Sequence, residues 1–313
     1  MKSDVFKGYF FTVIATLSFS NVYIFSKVAL NELPLAQFGM IWYAVVTVLC
    51  LVFAASNHKL QQLAHLTRKQ ISILLTLGAL EIITTTLFFI SINIIPDPSV
   101  TSFLGNMFPV MVMLGGIFIL HERFGLVEIF GGFLALAGAF VISYSGGTTL
   151  DTIFIKGTGV VFFNALFAST ATLVVKVHVK KLSPELLNLN RGFWLLLFSL
   201  VMFFMFDESA VISLRAFKNT IAGAILEFTA ILTVYYSYKY IEASRSSIIQ
   251  SLKGIFVLVG AFFVFKTLPL PHQLWGGILT VFGVLIMALA QAGYLKNPFA
   301  KAEGKKQVIL KRR

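Results

Sequence analysis

Charge is what this sequence has least of. Of its 313 residues only 12% are Asp, Glu, Lys or Arg, about half the ~25% found in a soluble globular domain. With 58% hydrophobic residues, the polar side chains are too few to clothe a water-soluble particle. A single cysteine, Cys50, excludes a disulfide framework. The 23 glycines follow no triplet period, which removes a collagen-like chain, and the apolar content removes disorder. Several chemistries lack their motifs as well. There is no Walker A loop, no G-x-S-x-G elbow and no H-E-x-x-H pair. The histidines at 58, 65, 121, 178 and 272 have no metal-ligand spacing. ATP-driven transport by this chain and metalloenzyme chemistry are therefore disfavoured, and neither an enzymatic activity nor a cofactor is expected.

What is present is a series of long apolar runs, with a mean hydropathy of +0.88. A helix needs ~20 apolar residues to cross a bilayer, and ten segments qualify: 8–30, 35–56, 70–94, 100–120, 125–144, 157–179, 187–206, 219–240, 247–265 and 273–294. The expected fold is an all-α polytopic membrane protein of ten transmembrane helices. The first segment has no small-x-small cleavage site and is read as a retained helix. With the N terminus inside, Lys and Arg outside the spans divide sixteen to four in favour of the inner side, so both termini are expected in the cytoplasm and the protein in the inner membrane. The net charge of +12 is then mostly a topology signal. Its scatter over loops and a basic tail gives no reason to expect nucleic acid as a partner.

The two halves of the chain resemble each other. Lys7-Gly8 recurs as Lys156-Gly157, Lys27-Val28 as Lys176-Val177, Pro34 as Pro184, Glu81 as Glu227, Gly131-Gly132 as Gly276-Gly277, and Gly138 as Gly283. The offsets lie between 145 and 150 throughout. A unit of five spans is odd, so the second copy must enter the membrane from the opposite side. That predicts an inverted-topology repeat, the plan of many secondary transporters, divided as residues 1–145, 146–294 and a basic cytoplasmic tail over 295–313.

Asn106-Met107-Phe108-Pro109, followed by Leu120-His121-Glu122-Arg123, Gly131-Gly132 and Leu136-Ala137-Gly138, resembles the drug/metabolite transporter superfamily, specifically its ten-span members with two EamA repeats. Pro184, Arg191 and Trp275-Gly276-Gly277 through Gly283 carry the likeness in the second half. Three positions depart from a symmetric pattern: Ile41 stands opposite Arg191, Thr267 opposite Glu122, and Gly254 opposite Pro109. The resemblance implies a central cavity lined by the first, third, fourth, sixth, eighth and ninth spans. It also implies that the fifth and tenth hold halves or subunits together, in a monomer or homodimer, and that small metabolites, often exported, are the cargo.

Ionisable groups inside spans are costly, about 2.5–3.5 kcal/mol at a helix centre on insertion scales. Glu81 and Glu227 are repeat-related and deep in the third and eighth spans. They are candidates to bind a cationic group or a coupling proton, against a purely structural role. Lys253 on the ninth span can pair with Glu81 in one conformational state, bind a substrate carboxylate, or snorkel to the interface. Snorkelling is the reading for Lys27 and Lys176. Arg191 is read as a pairing residue near the inner membrane interface, and Glu122 as a structural carboxylate at the fifth helix N-terminus. Asn21 and Asn164 on the first and sixth spans, Asn106 and Ser251 (with Gln250) on the fourth and ninth, and Tyr235, Tyr236 and Trp42 are candidate recognition groups, with interhelical hydrogen bonding as their alternative. Gly131 and Gly276 begin small-residue stripes that suit either a dimer face or packing between halves. The leading expectation is a secondary transporter that moves a small, amino-acid-like metabolite outward by alternating access. The rival is a non-transporting accessory or sensor protein with the same fold, which would show a closed, apolar midplane.

Overall fold

The structure, a computed structural model, describes residues 2–120, 125–146, 154–206, 209–291 and 295. Glu122 lies outside them, as does the tail from residue 296. The described residues are 85% helical, and among them the only extended pairing is an isolated bridge between Tyr144 and Phe154. Eight helical stretches are each long and apolar enough to span a membrane, and shorter apolar helices over Lys253–Phe265 and Pro271–Met287 complete ten spans. A 3-10 helix, Leu60–His65, lies between the second and third spans.

Two of the ten spans are broken. The fourth consists of Pro98–Leu104 and Met107–Leu120, and the ninth of Ala243–Gln250 and Lys253–Phe265. Across each break the i→i−4 ladder gives way to tighter bonds, from Asn106 N–H to Phe103 O in one and from Leu252 N–H to Ile249 O in the other. Such short 3-10 interruptions kink a helix without leaving its backbone unpaired. Asn106 and Ser251, equivalent by the repeat offset, mark the two breaks.

Matched local signals start the matched helices. Thr67 caps the third span in a capping box with Gln70, and Ser213 caps the eighth, accepting from Ala216 N–H. Each satisfies one of the orphan donors at a helix N-terminus. The far ends of the same helices are closed by the paired lysines. Lys27 Nζ donates to the carbonyls of Ile92 (2.8 Å), Asn93 (3.1 Å) and Ile95 (2.9 Å). Lys176 Nζ donates to those of Tyr238 (2.8 Å) and Ile241 (2.5 Å). The snorkelling expected of both is thus replaced by an inward role. The last carbonyls of a helix lack intrahelical donors and carry the negative end of its dipole, so an ammonium there is favoured over one reaching for water. Lys27→Met, which keeps the bulk and removes the donor, is expected to cost about 1–3 kcal/mol. Thermal unfolding of the detergent-solubilised variant checks it, and an unchanged melting temperature would contradict the capping role.

Helix packing follows the pseudo-symmetry. The first span packs on the eighth and the third on the sixth; the second pairs with the seventh, and the fifth with the tenth. Every pairing thus maps onto another or onto itself when the halves are exchanged. At the fifth–tenth seam backbone meets backbone. A Cβ on Gly131 would stand 2.6 Å from the Gly283 carbonyl oxygen, and one on Gly138 would stand 2.6 Å from that of Gly276. The small-residue stripes therefore pack against each other within one chain, holding the halves together. Large apolar side chains such as Phe118, Phe133, Phe204 and Trp275 cover the outside, as a bilayer-facing surface requires.

Candidate functional site

The third, seventh and eighth spans converge on a buried ion cluster. Arg191, on the seventh, sends Nε to Glu81 Oε2 at 2.8 Å and Nη2 to Glu227 Oε1 at 2.6 Å. Nη2 also reaches Thr85 Oγ1 at 3.1 Å. Residues 191, 81 and 227 are 5%, 8% and 3% exposed, so the charges are withdrawn from solvent and depend on one another. The two carboxylates come from repeat-related positions and share one guanidinium, whose planar fork can serve both at once. Ile41 at the symmetric position is consistent with this: a second arginine would bring a charge with no partner.

Each carboxylate is also held by side chains of the opposite repeat. Tyr235 donates to Glu81 Oε1 at 3.2 Å. Tyr43 donates to Glu227 Oε1 at 3.3 Å, and Trp42 Nε1 donates to Glu227 Oε2. Space for the Trp42 indole exists because residue 223 on the eighth span is glycine; a Cβ there would lie 2.3 Å from the ring. The Tyr43 ring also faces the Arg191 guanidinium at 5.8 Å, within cation–π range.

Beside this cluster lies a cavity of about 150 Å³. Glu81, Glu227 and Arg191 form one wall, and Lys253 lines it with Gln250 at the break in the ninth span. Phe19, Phe88, Phe108 and Ile231 make it largely apolar, with Asn164, Thr84, Tyr235 and Tyr238 as polar groups. Its formal charges balance, two carboxylates against two cations, but their bonding does not. Both carboxylates are taken by Arg191, whereas Lys253 pairs with no carboxylate among the described residues and lies 5.8 Å from the Tyr23 ring centroid. Among the described residues, Arg191 Nη1 and Thr84 Oγ1 are buried and find no hydrogen-bond partner.

Of the candidates read from sequence, Glu81, Glu227, Lys253, Asn164 and Tyr235 meet at this cavity. Asn164 Nδ2 donates to Thr84 O at 2.7 Å. The pairing expected of Arg191 at the membrane interface takes place instead at the cavity wall, and it is Arg191 rather than Lys253 that pairs with Glu81. Trp42 stands behind Glu227. Asn106, buried at the fourth-span break, donates to Thr280 Oγ1 at 3.1 Å, tying that break to the tenth span. Ser251 is buried at the ninth-span break. Tyr236 donates to Glu185, and Asn21 is exposed, donating to Leu17 O at 3.0 Å. Tyr43, Thr85 and Tyr238 escaped the sequence reading, since a lone Tyr or Thr in an apolar run carries no signal of its own.

Two inverted five-span copies around a cavity walled by buried charges, with broken helices beside it, define the class: a helical membrane protein of transporter architecture. The chain belongs to the EamA-like transporter family, whose sequence pattern matches residues 6–144 and 155–289. It is therefore a multi-pass membrane transporter of the drug/metabolite type, with a small-molecule substrate and the lipid bilayer as its surroundings. A comparison with curated protein sequences finds no match. A crystal structure of a protein 13% identical in sequence superposes on 95% of this chain and 100% of its own, with a TM-score of 0.69. At that identity the likeness concerns the fold.

Proposed function

We propose that the chain is a secondary active transporter that moves a small, amino-acid-like metabolite out across the cytoplasmic membrane by alternating access, with both termini in the cytoplasm. The observation that carries this is the shared guanidinium. Glu81 and Glu227 come from opposite repeats and Arg191 bonds both, so the cluster is a latch between the two units that alternating access moves. The same cluster walls the cavity, which lets cargo and latch communicate. Lys253, the cavity cation left without a carboxylate among the described residues, is the anchor for the cargo's carboxylate, and the phenyl-lined wall takes its apolar part. Proton coupling enters through the carboxylates: a proton on either one removes a charge that Arg191 holds, and loosens the latch. A cavity that carries the four ionisable side chains of Glu81, Glu227, Arg191 and Lys253 is the opposite of the closed apolar midplane that an accessory or sensor protein would have.

Flux in proteoliposomes under an imposed proton gradient tests this reading. Wild-type protein is expected to move amino acids or related small acids in a saturable, gradient-sensitive way. Glu81→Gln with Glu227→Gln is expected to abolish the gradient sensitivity. Full, gradient-sensitive flux in that double variant would remove the carboxylates from the mechanism.

A further inference from the structure

A second cleft, of about 500 Å³, lies on the face of the bundle that carries the N terminus, away from the central cavity. Among the described residues its ionisable lining is all basic: His58, Lys59, His65, Lys180, Lys181 and Lys239, with no carboxylate. Among the described residues none of these lysines takes part in an ion pair. Topology requires basic residues on inner loops but does not require them to converge. Gathering like charges is unfavourable unless something offsets it.

The convergence is built. Residues 58–65 follow the second span, whereas Lys180 and Lys181 precede the seventh, so the two walls belong to different repeats. Gln62 joins them: its Nε2 donates to Lys181 O at 2.8 Å, and its Oε1 accepts from Ser183 N–H at 3.2 Å. On the first wall His58 stands at φ 54°, a left-handed conformation that non-glycine residues seldom adopt. This turns the chain sharply into the 3-10 helix and brings Lys59 and His65 to the same cleft. On the third side, Lys239 lies 5.3 Å from the Tyr236 ring centroid, which steadies its long stem.

We propose that this cleft binds a phosphate-bearing anion and, by bridging loops of the two repeats, biases the transport cycle toward the state in which those loops are together. Clustered ammonium groups and imidazole nitrogens suit the several acceptor oxygens and multiple charges of a phosphoryl group, and a ligand favours whichever conformation it binds better. The phosphate can come from a soluble metabolite or from a lipid headgroup. The binding claim goes beyond the transport reading, and only its effect on the cycle rests on that reading.

The test uses the full chain in phosphatidylcholine nanodiscs, with and without phosphatidylglycerol, titrated with pyrophosphate. Pyrophosphate is expected to raise the melting temperature and phosphatidylglycerol to compete with it. Lys180→Gln with Lys181→Gln is expected to weaken pyrophosphate about tenfold. Arg68→Gln with Lys69→Gln, on the same face and outside the cleft lining, should respond as wild type. If pyrophosphate alone acts, a soluble ligand is the occupant; if phosphatidylglycerol protects and pyrophosphate adds nothing, a lipid headgroup is. No response to either, or equal weakening in both double variants, would overturn the site. Binding that leaves flux unchanged would overturn its coupling to the cycle. A wild-type protein that binds pyrophosphate yet moves no cargo would count against the transporter reading alone.

Discussion

Arg191→Ala is expected to cost about 3–5 kcal/mol of stability, because it leaves buried carboxylates without the cation they share, and to abolish transport. Truncating one member of a buried ion cluster is worse than never having built it. The remaining charges keep their desolvation penalty and lose the attraction that offset it. Here the loss is doubled, since one guanidinium serves both Glu81 and Glu227. Arg191→Lys keeps the charge but not the fork, since one ammonium cannot reproduce the separate Nε and Nη2 contacts, so an intermediate loss follows. The triple variant Glu81→Gln, Arg191→Met, Glu227→Gln separates folding from function. With none of the cluster's charges left to strand, its melting temperature should recover toward wild type while transport stays absent. Thermal unfolding in detergent, paired with flux in liposomes, reads both quantities. A wild-type melting temperature in Arg191→Ala would mean that the cluster does not hold the halves.

Lys253→Met is expected to do the reverse, sparing the fold and losing the cargo. The ammonium has no carboxylate partner among the described residues, so removing it strands no opposite charge. A methionine fills the same space along its stem, and the melting temperature should be unchanged or higher. Binding of a carboxylate-bearing ligand should fall about 100-fold, which corresponds to about 2.7 kcal/mol. A thermal-shift titration with phenylacetate, phenylalanine and phenethylamine checks it, since the three share a ring and differ in charge. The two carboxylate compounds should stabilise wild type and fail with Lys253→Met. Phenethylamine should be indifferent to both, because the cavity's carboxylates are occupied.

Much of this site can be read from the sequence, for definable reasons. Glu81 and Glu227 stand out because depth in a span and a common repeat offset coincide on them. The ten spans and their inversion follow from apolar length and an odd repeat unit. Arg191 is harder. The seventh helix begins at Pro184, three residues before the apolar run suggests, and a long side chain reaches further than its backbone position implies. The inward turn of Lys27 and Lys176 is hidden because it depends on carbonyls at the ends of other helices. Trp42 reaches Glu227 only through the space left by Gly223, a pairing across repeats that no local pattern encodes. The basic cleft is hidden in the charge count itself: topology explains why lysines lie on that face, and only the packing of two distant loops shows that they meet.

The central claim is that the cavity carries cargo with a carboxylate on Lys253 and that its movement crosses the membrane. Cargo-evoked currents from proteoliposomes on a solid-supported membrane test it most directly. The account predicts saturable transients on adding small acids or amino acids, absent for amines of the same size and absent when Lys253 is methionine. Transients evoked by amines alone, or of equal size with and without Lys253, would contradict it.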